Sequence, residues 1–95
     1  MYSIILPSYN EKENLPLLIT KIKFYLSKKK FKIYIIDDHS NDGTEKIINK
    51  KFKNDKRIIF TARTKYPRSL GRSVGEGLLM SKSDKIIVMD TDFNH

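Results

Sequence analysis

Four short runs rich in β-branched and aromatic residues recur along the chain: Tyr2 to Leu6, Phe31 to Ile36, Arg57 to Ala62 and Lys85 to Met89. This recurrence constrains the fold more than any other feature. Each run has the length of a strand. Pairs such as Ile35 with Ile36 and Ile86 with Ile87 make the runs nearly continuous in apolar character instead of alternating, as in a parallel sheet covered by helices on both faces. Between the runs lie helical patterns. Leu15, Leu18, Ile19, Ile22 and Leu26 fall on one helix face, with Asn10 or Asn14 expected as the cap and Pro16 tolerable near the first turn. Thr44, Ile47, Ile48 and Phe52 repeat the spacing behind Ser40 or Asp42 as cap. Leu70, Val74 and Leu78 outline a third helix, with Gly77 and Ser81 where it could pack closely on a sheet. The order β-α-β-α-β-α-β with short connections predicts an α/β fold, a right-handed, doubly wound parallel sheet of about four strands.

Length and composition narrow the function classes. A chain of 95 residues is at most one domain. The absence of cysteine excludes disulfide frameworks, thiolate metal sites and cysteine nucleophiles. No apolar run approaches the ~20 residues of a membrane span, and the first residues lack a basic leader, so a cytoplasmic location is expected. Any contact with the cytoplasmic face of a membrane is left to a partner or a further segment. The net charge of +8 comes mostly from lysine in a chain also rich in isoleucine and asparagine, a bias that AT-rich coding produces by itself. A nucleic-acid-binding reading would rest on that charge alone and would demand steep salt dependence; no nucleic acid partner is expected.

Ligands of open α/β sheets bind beyond the carboxyl ends of the strands. Three polar clusters fall there: Pro7 to Glu11 after the first run, Asp37 to Thr44 after the second and Asp90 to Asp92 after the fourth. Asp90 and Asp92 stand two apart in an extended segment, so they point to one side while Thr91 points to the other. Together they can grip a hard cation, Mg²⁺ or Mn²⁺, and Asn94 could add an amide oxygen. Of Asp37 and Asp38 one can turn into the crevice and accept hydrogen bonds from a sugar or base. Ser40, Asp42 and Gly43 are assigned mainly to structure. Tyr9 offers a stacking face and Glu11 an acceptor, while Pro7 stiffens the exit from the strand. No Gly-x-Gly-x-x-Gly follows the first run and no Gly-Lys-Ser or Gly-Lys-Thr occurs, which removes dinucleotide and P-loop readings. His39 and His95 are too few for a histidine metal site and are read as bystanders.

Pro-x-Tyr-Asn-Glu with Asn-Leu-Pro behind it (Pro7 to Pro16), Asp-Asp-x-Ser-x-Asp-Gly-Thr (Asp37 to Thr44) and Met-Asp-x-Asp (Met89 to Asp92) occur in one order and spacing. In these the chain resembles the donor-binding half of family 2 glycosyltransferases of the Rossmann-like GT-A fold, and within them the dolichyl- or polyprenyl-phosphate mannosyltransferases. The resemblance spans nearly the whole chain and implies a domain over 1–95 that ends after the Asp-x-Asp motif. It implies that Pro7, Tyr9, Glu11, Ile36 and Asp38 surround the nucleoside of GDP-mannose or a UDP-hexose. It places Asp90, Thr91 and Asp92 at the sugar diphosphate, with Asp90, Asp92 and Asn94 holding Mg²⁺ or Mn²⁺. It further implies an inverting hexose transfer to a lipid phosphate or another glycosyl acceptor. Ser73, Ser81 and Ser83 stand where relatives carry alanine or glycine. Acceptor-binding and catalytic-base segments have no counterpart in the sequence, so no catalytic residue is assigned, and a second chain is expected to complete the fold if the chain acts as half of an enzyme.

Overall fold

A computed structural model describes residues 1–64, 67–81 and 85–91. The elements are β1 (Tyr2–Ser8), α1 (Asn14–Tyr25), β2 (Phe31–Asp37), α2 (Thr44–Lys51), β3 (Ile58–Ala62), α3 (Leu70–Met80) and β4 (Lys85–Val88). All strands are parallel, in the order β3-β2-β1-β4. The chain therefore winds outward from β1 through β2 to β3 and then returns past β1 to lay down β4. α1 and α2 pack on one face of the sheet and α3 on the other, the arrangement of a doubly wound sheet.

Period-two alternation divides the core between the two faces. Ile4, Leu6, Ile33 and Ile35 point toward α1 and α2, where Leu15, Leu18, Ile19, Ile22 and Ile48 close over them. Ile5, Tyr34 and Ile36 point the other way, with Met80 of α3 against them. Helices thus cover both faces, as the apolar runs predict. Each isoleucine so buried contributes roughly 1.5–3 kcal/mol relative to leaving it in water.

The third helix turns a different face to the sheet from the one the spacing of its leucines suggests. Leu70 and Leu78 are exposed, and the buried residues of α3 are Ser73 and Gly77. A Cβ at Gly77 would lie 2.5 Å from Ile5 Cγ2, so only hydrogen fits between helix and strand there. Close approach, and not apolar bulk, fixes this face.

Helix starts also depart from expectation. Neither Asn10 nor Asn14 caps α1: Glu13 holds the cap position without a side-chain bond, and Asn14 is the first helical residue. At α2 the cap position is Gly43 at φ 87°, and Asp42 just before it accepts from the Thr44 backbone N–H at 3.1 Å. Ser40 is engaged elsewhere. Only α3 has a side-chain cap, Ser69 Oγ accepting from the Arg72 N–H at 3.2 Å.

Pro7 lies within β1, not at its exit. It is tolerated in this central strand because Ile5 accepts from the Met89 N–H, so alternation turns the Pro7 nitrogen toward β4, where the ladder has already ended at Ile5 and Val88. β4, like β3 at the other edge, is an outer strand, and all four of its residues are exposed. Among the described residues no helix is long and apolar enough to cross a membrane.

Candidate functional site

The winding reverses between β1 and β4. Loops leaving such neighbours diverge to opposite faces and leave a crevice at the carboxyl ends. A crevice of about 400 Å³ opens there, lined by residues of β1 and its loop (Pro7, Ser8, Tyr9, Glu11), by Asp38 after β2, and by Asp90 and Thr91 after β4. Its remaining wall is Arg68, Leu70 and Ser73. Pro7, Tyr9, Glu11, Asp38, Asp90 and Thr91 thus share one site. Thr91 is buried and its Oγ1 donates to the Pro7 carbonyl at 3.3 Å, which ties the β4 exit to β1. Asp90 beside it is exposed at the crevice, the alternation expected of an extended segment. Asp92, Asn94 and His95 lie outside the described residues. Ile36 is not in the crevice: its side chain is fully buried between sheet and α3, because the alternation that turns Ile5 to that face turns Ile36 there as well.

The two aspartates at the end of β2 divide their roles. Asp37 accepts from the backbone N–H of Ser40 at 3.0 Å and from its hydroxyl, closing a local turn. Asp38 faces the crevice wall: its Oδ1 accepts from Arg63 Nη1 at 2.8 Å and its Oδ2 from the Ser69 N–H at 2.6 Å. Arg63 is itself buried and also donates through Nε to Glu76 of α3. One guanidinium therefore links the exits of β2 and β3 to the third helix. His39, at φ 69°, keeps its Nε2 3.8 Å from Asp38 Oδ1.

A second lattice of bonds joins the first two loops. Asn10, in the left-handed region at φ 51°, donates its N–H to Ser40 Oγ at 2.8 Å and accepts from the Asn41 N–H at 2.9 Å. Asp42 accepts from the Lys12 N–H at 3.3 Å and from the Thr44 backbone and hydroxyl. Burial pushes the Asp42 carboxyl up, but the Thr44 hydroxyl and the Lys12 and Thr44 backbone donors outweigh it and hold it below the usual carboxylate range. Ser40 and Asp42 are structural, as expected, although through bridging loops more than through capping. This lattice fixes the loop that carries Tyr9 and Glu11.

Tyr9 is exposed, and the Arg68 guanidinium carbon stands 4.0 Å from its ring centroid. Glu11 accepts from Asn14 Nδ2 at 3.1 Å. Arg63, Arg68, Ser73 and Glu76 were not foreseen from the sequence. Arg63 could have been found, since it follows β3 at the same rim where the other strand exits were examined; the others become visible only once α3 is docked.

The carboxylate chemistry of Asp90 suits a hard divalent cation. Among the described residues, no three of the His, Cys, Asp and Glu side chains gather as a metal cluster, so the fit rests on Asp90 with Asp92 and Asn94 beyond it in the sequence.

Fold and crevice define a doubly wound α/β domain with a ligand site at its switch point. The chain belongs to glycosyl transferase family 2, which it matches over residues 3–95. It is 33% identical over 101 residues to a dolichyl-phosphate beta-glucosyltransferase of Mus musculus, covering 95% of this chain and 30% of the relative. It is 36% identical over 94 residues to a dolichol-phosphate mannosyltransferase of Pyrococcus furiosus, covering 98% and 26%. The chain thus spans under a third of the length of these relatives. Among solved structures it is similar to the mannosyltransferase PcManGT of Pyrobaculum calidifontis in complex with GDP-Man and Mn²⁺, with TM-score 0.75 and 20% identity over 96% of this chain and 27% of that one. It is similar also to S. aureus TarS 1-349 in complex with UDP, with TM-score 0.78 and 22% identity over 96% and 27%. These likenesses establish the Rossmann-like GT-A fold.

Proposed function

We propose that the crevice binds a nucleotide-sugar and that the chain is the donor-binding part of an inverting glycosyltransferase that passes a hexose to a dolichyl or polyprenyl phosphate. The observation that carries this reading is the meeting of Tyr9, Glu11, Asp38 and Asp90 in one crevice at the β1/β4 switch point. Mannose from GDP-mannose is the preferred donor, supported by the Pyrococcus relative and by the GDP-Man complex; the glucosyltransferase relatives keep a UDP-hexose as the competing donor. The reaction would be set in the cytoplasm, at the membrane face where a lipid phosphate is presented.

The residues divide the work. Tyr9 gives the nucleoside an aromatic wall, Glu11 an acceptor for its hydroxyls, and Pro7 a rigid floor. Asp38, with its oxygens aligned by Arg63 and the Ser69 N–H, presents its remaining lone pairs to the nucleoside from a fixed position. Asp90, with Asp92 and Asn94, would hold Mg²⁺ or Mn²⁺, and a dication there offsets the charge that develops on the leaving nucleoside diphosphate. Thr91 anchors that segment to β1 through the Pro7 carbonyl.

A second reading, a donor-binding module that needs another polypeptide for transfer, is favoured by the exposed outer strand β4. A transfer assay with GDP-mannose or UDP-glucose, Mn²⁺ and dolichyl phosphate separates the two. Formation of hexosyl phosphoryl lipid supports the enzyme. Donor binding without transfer supports the module, and neither binding nor transfer refutes both.

A further inference from the structure

The crevice holds groups that the donor reading leaves unused. Ser73 on α3 and Ser8 at the end of β1 both line it, and both are more than nine-tenths buried. Neither hydroxyl has a hydrogen-bond partner among the described residues. Buried polar atoms are nearly always paired in folded proteins, so two orphans in one crevice mark a place where a ligand or ordered water supplies the partner. Arg68 lines the same wall. Whereas Arg63 is consumed by Asp38 and Glu76, Arg68 forms no ion pair among the described residues and lies over Tyr9. The other charged residues of the lining, Glu11, Asp38 and Asp90, are acidic.

We propose that Arg68, Ser73 and the opening turn of α3 form an anion subsite on the α3 side of the crevice that holds a phosphate group. The inference deepens the donor reading and rests on it. Stacking on Tyr9 holds the guanidinium at the crevice, where its planar fork can bind two phosphate oxygens at once. Ser69, the next residue, is fixed by Asp38 and caps α3, so the positive end of an eleven-residue helix opens beside it. Ser73 Oγ lies at the end of that first turn, free to donate. A phosphate of the donor's diphosphate and the phosphate of a lipid acceptor present the same oxygens to these groups.

The test is NMR titration, with Mg²⁺, of the wild-type chain and of R68A, R68K and S73A, using guanosine, GDP, uridine, UDP and farnesyl phosphate. Arg68 is exposed and Ser73→Ala removes a single oxygen, so the variants should keep the wild-type circular dichroism spectrum. Arg68→Ala should weaken a phosphorylated ligand by about tenfold or more while leaving the nucleoside unchanged, with Arg68→Lys intermediate and Ser73→Ala severalfold weaker. A loss confined to the nucleoside diphosphate assigns the subsite to the donor, and one confined to farnesyl phosphate assigns it to the acceptor. Unchanged affinity of R68A for every phosphorylated ligand overturns the proposal, as does an equal loss for nucleoside and diphosphate. Unchanged affinity of S73A removes the serine from it. Arg68-dependent binding of farnesyl phosphate alone keeps the subsite and sinks the donor reading, whereas a wild-type chain that binds none of the five ligands overturns both.

Discussion

Two glycines of the same helix should respond to alanine in opposite directions. At Gly77 an added Cβ would stand 2.5 Å from Ile5 Cγ2, 3.3 Å from Ile5 Cγ1 and 3.4 Å from Ile36 Cγ1. The first contact is about 1 Å inside the ~3.5 Å at which carbon pairs begin to attract. Ile5 and Ile36 are fully buried, and Cγ2 is bonded to the branching carbon of a stiff side chain, so it cannot swing aside. α3 must lift from the sheet. Overpacking of this kind costs about 1–3 kcal/mol, and alanine returns about 1 kcal/mol of helix propensity, which leaves Gly77→Ala destabilised by up to about 2 kcal/mol. At Gly75 the same Cβ meets nothing within 4 Å, so Gly75→Ala should gain up to about 1 kcal/mol. With a urea dependence near 1 kcal/mol/M for so short a chain, the unfolding midpoints should move apart, down by as much as about 2 M for G77A and up by as much as about 1 M for G75A. Midpoints that shift together in the same direction would refute the close-packing account of α3.

Three further outcomes follow from the crevice and its supports. Asp38→Ala leaves the buried Arg63 facing Glu76 alone and should cost about 3 kcal/mol, read as a lowered melting temperature; a melt within a degree of wild type would show that the pair carries no stability. Asp55 is held well below the usual carboxylate range, first by the two-pronged bond from Arg57 and then, against burial, by Lys23. Because its folded value is depressed, its contribution is whole above about pH 4 and is lost progressively as the pH falls toward the folded value, so the stability gap between wild type and Asp55→Asn should narrow steadily below about pH 4 and remain partly open at pH 3 in urea titrations. Asp90→Ala removes an exposed rim carboxylate and should change unfolding stability by no more than about 0.5 kcal/mol, which a urea midpoint shifted by clearly more than about 0.5 M would contradict.

The strands were legible because burial on both faces writes itself as unbroken apolar runs, and Ile4 to Leu6, Ile33 to Ile36 and Ile58 to Phe60 are such runs. With the strands placed, the rim rule found Tyr9, Glu11, Asp38 and Asp90 without knowledge of α3. The face of α3 was half legible: Gly77 stands out in the sequence as a close-packing position and is one, whereas Leu70 and Leu78 point to the wrong face and Ser73 gives no signal, because periodicity counts only apolar bulk. The caps misled because capping is a local rule, whereas Asn10 Oδ1 accepts from the Asn41 N–H and Ser40 Oγ from the Asn10 N–H, bonds that join loops far apart in sequence. Ile36 fell outside the crevice because it stands two residues before Asp38 on the same face of the strand, one step deeper from the rim, where α3 covers it. Arg63 was open to the same rim rule, one residue past β3, whereas Arg68 and Ser73 required the docked helix.

The central claim is that these residues make a metal-dependent nucleotide-sugar site. Calorimetric titration of the folded chain with GDP-mannose and with UDP-glucose, in Mn²⁺ and then in chelator, tests it most directly, with Asp90→Ala as the control. The account predicts saturable binding of one donor in Mn²⁺, lost in chelator and in the variant. A folded chain that binds neither donor, or binds one equally well in chelator and in Asp90→Ala, would contradict it.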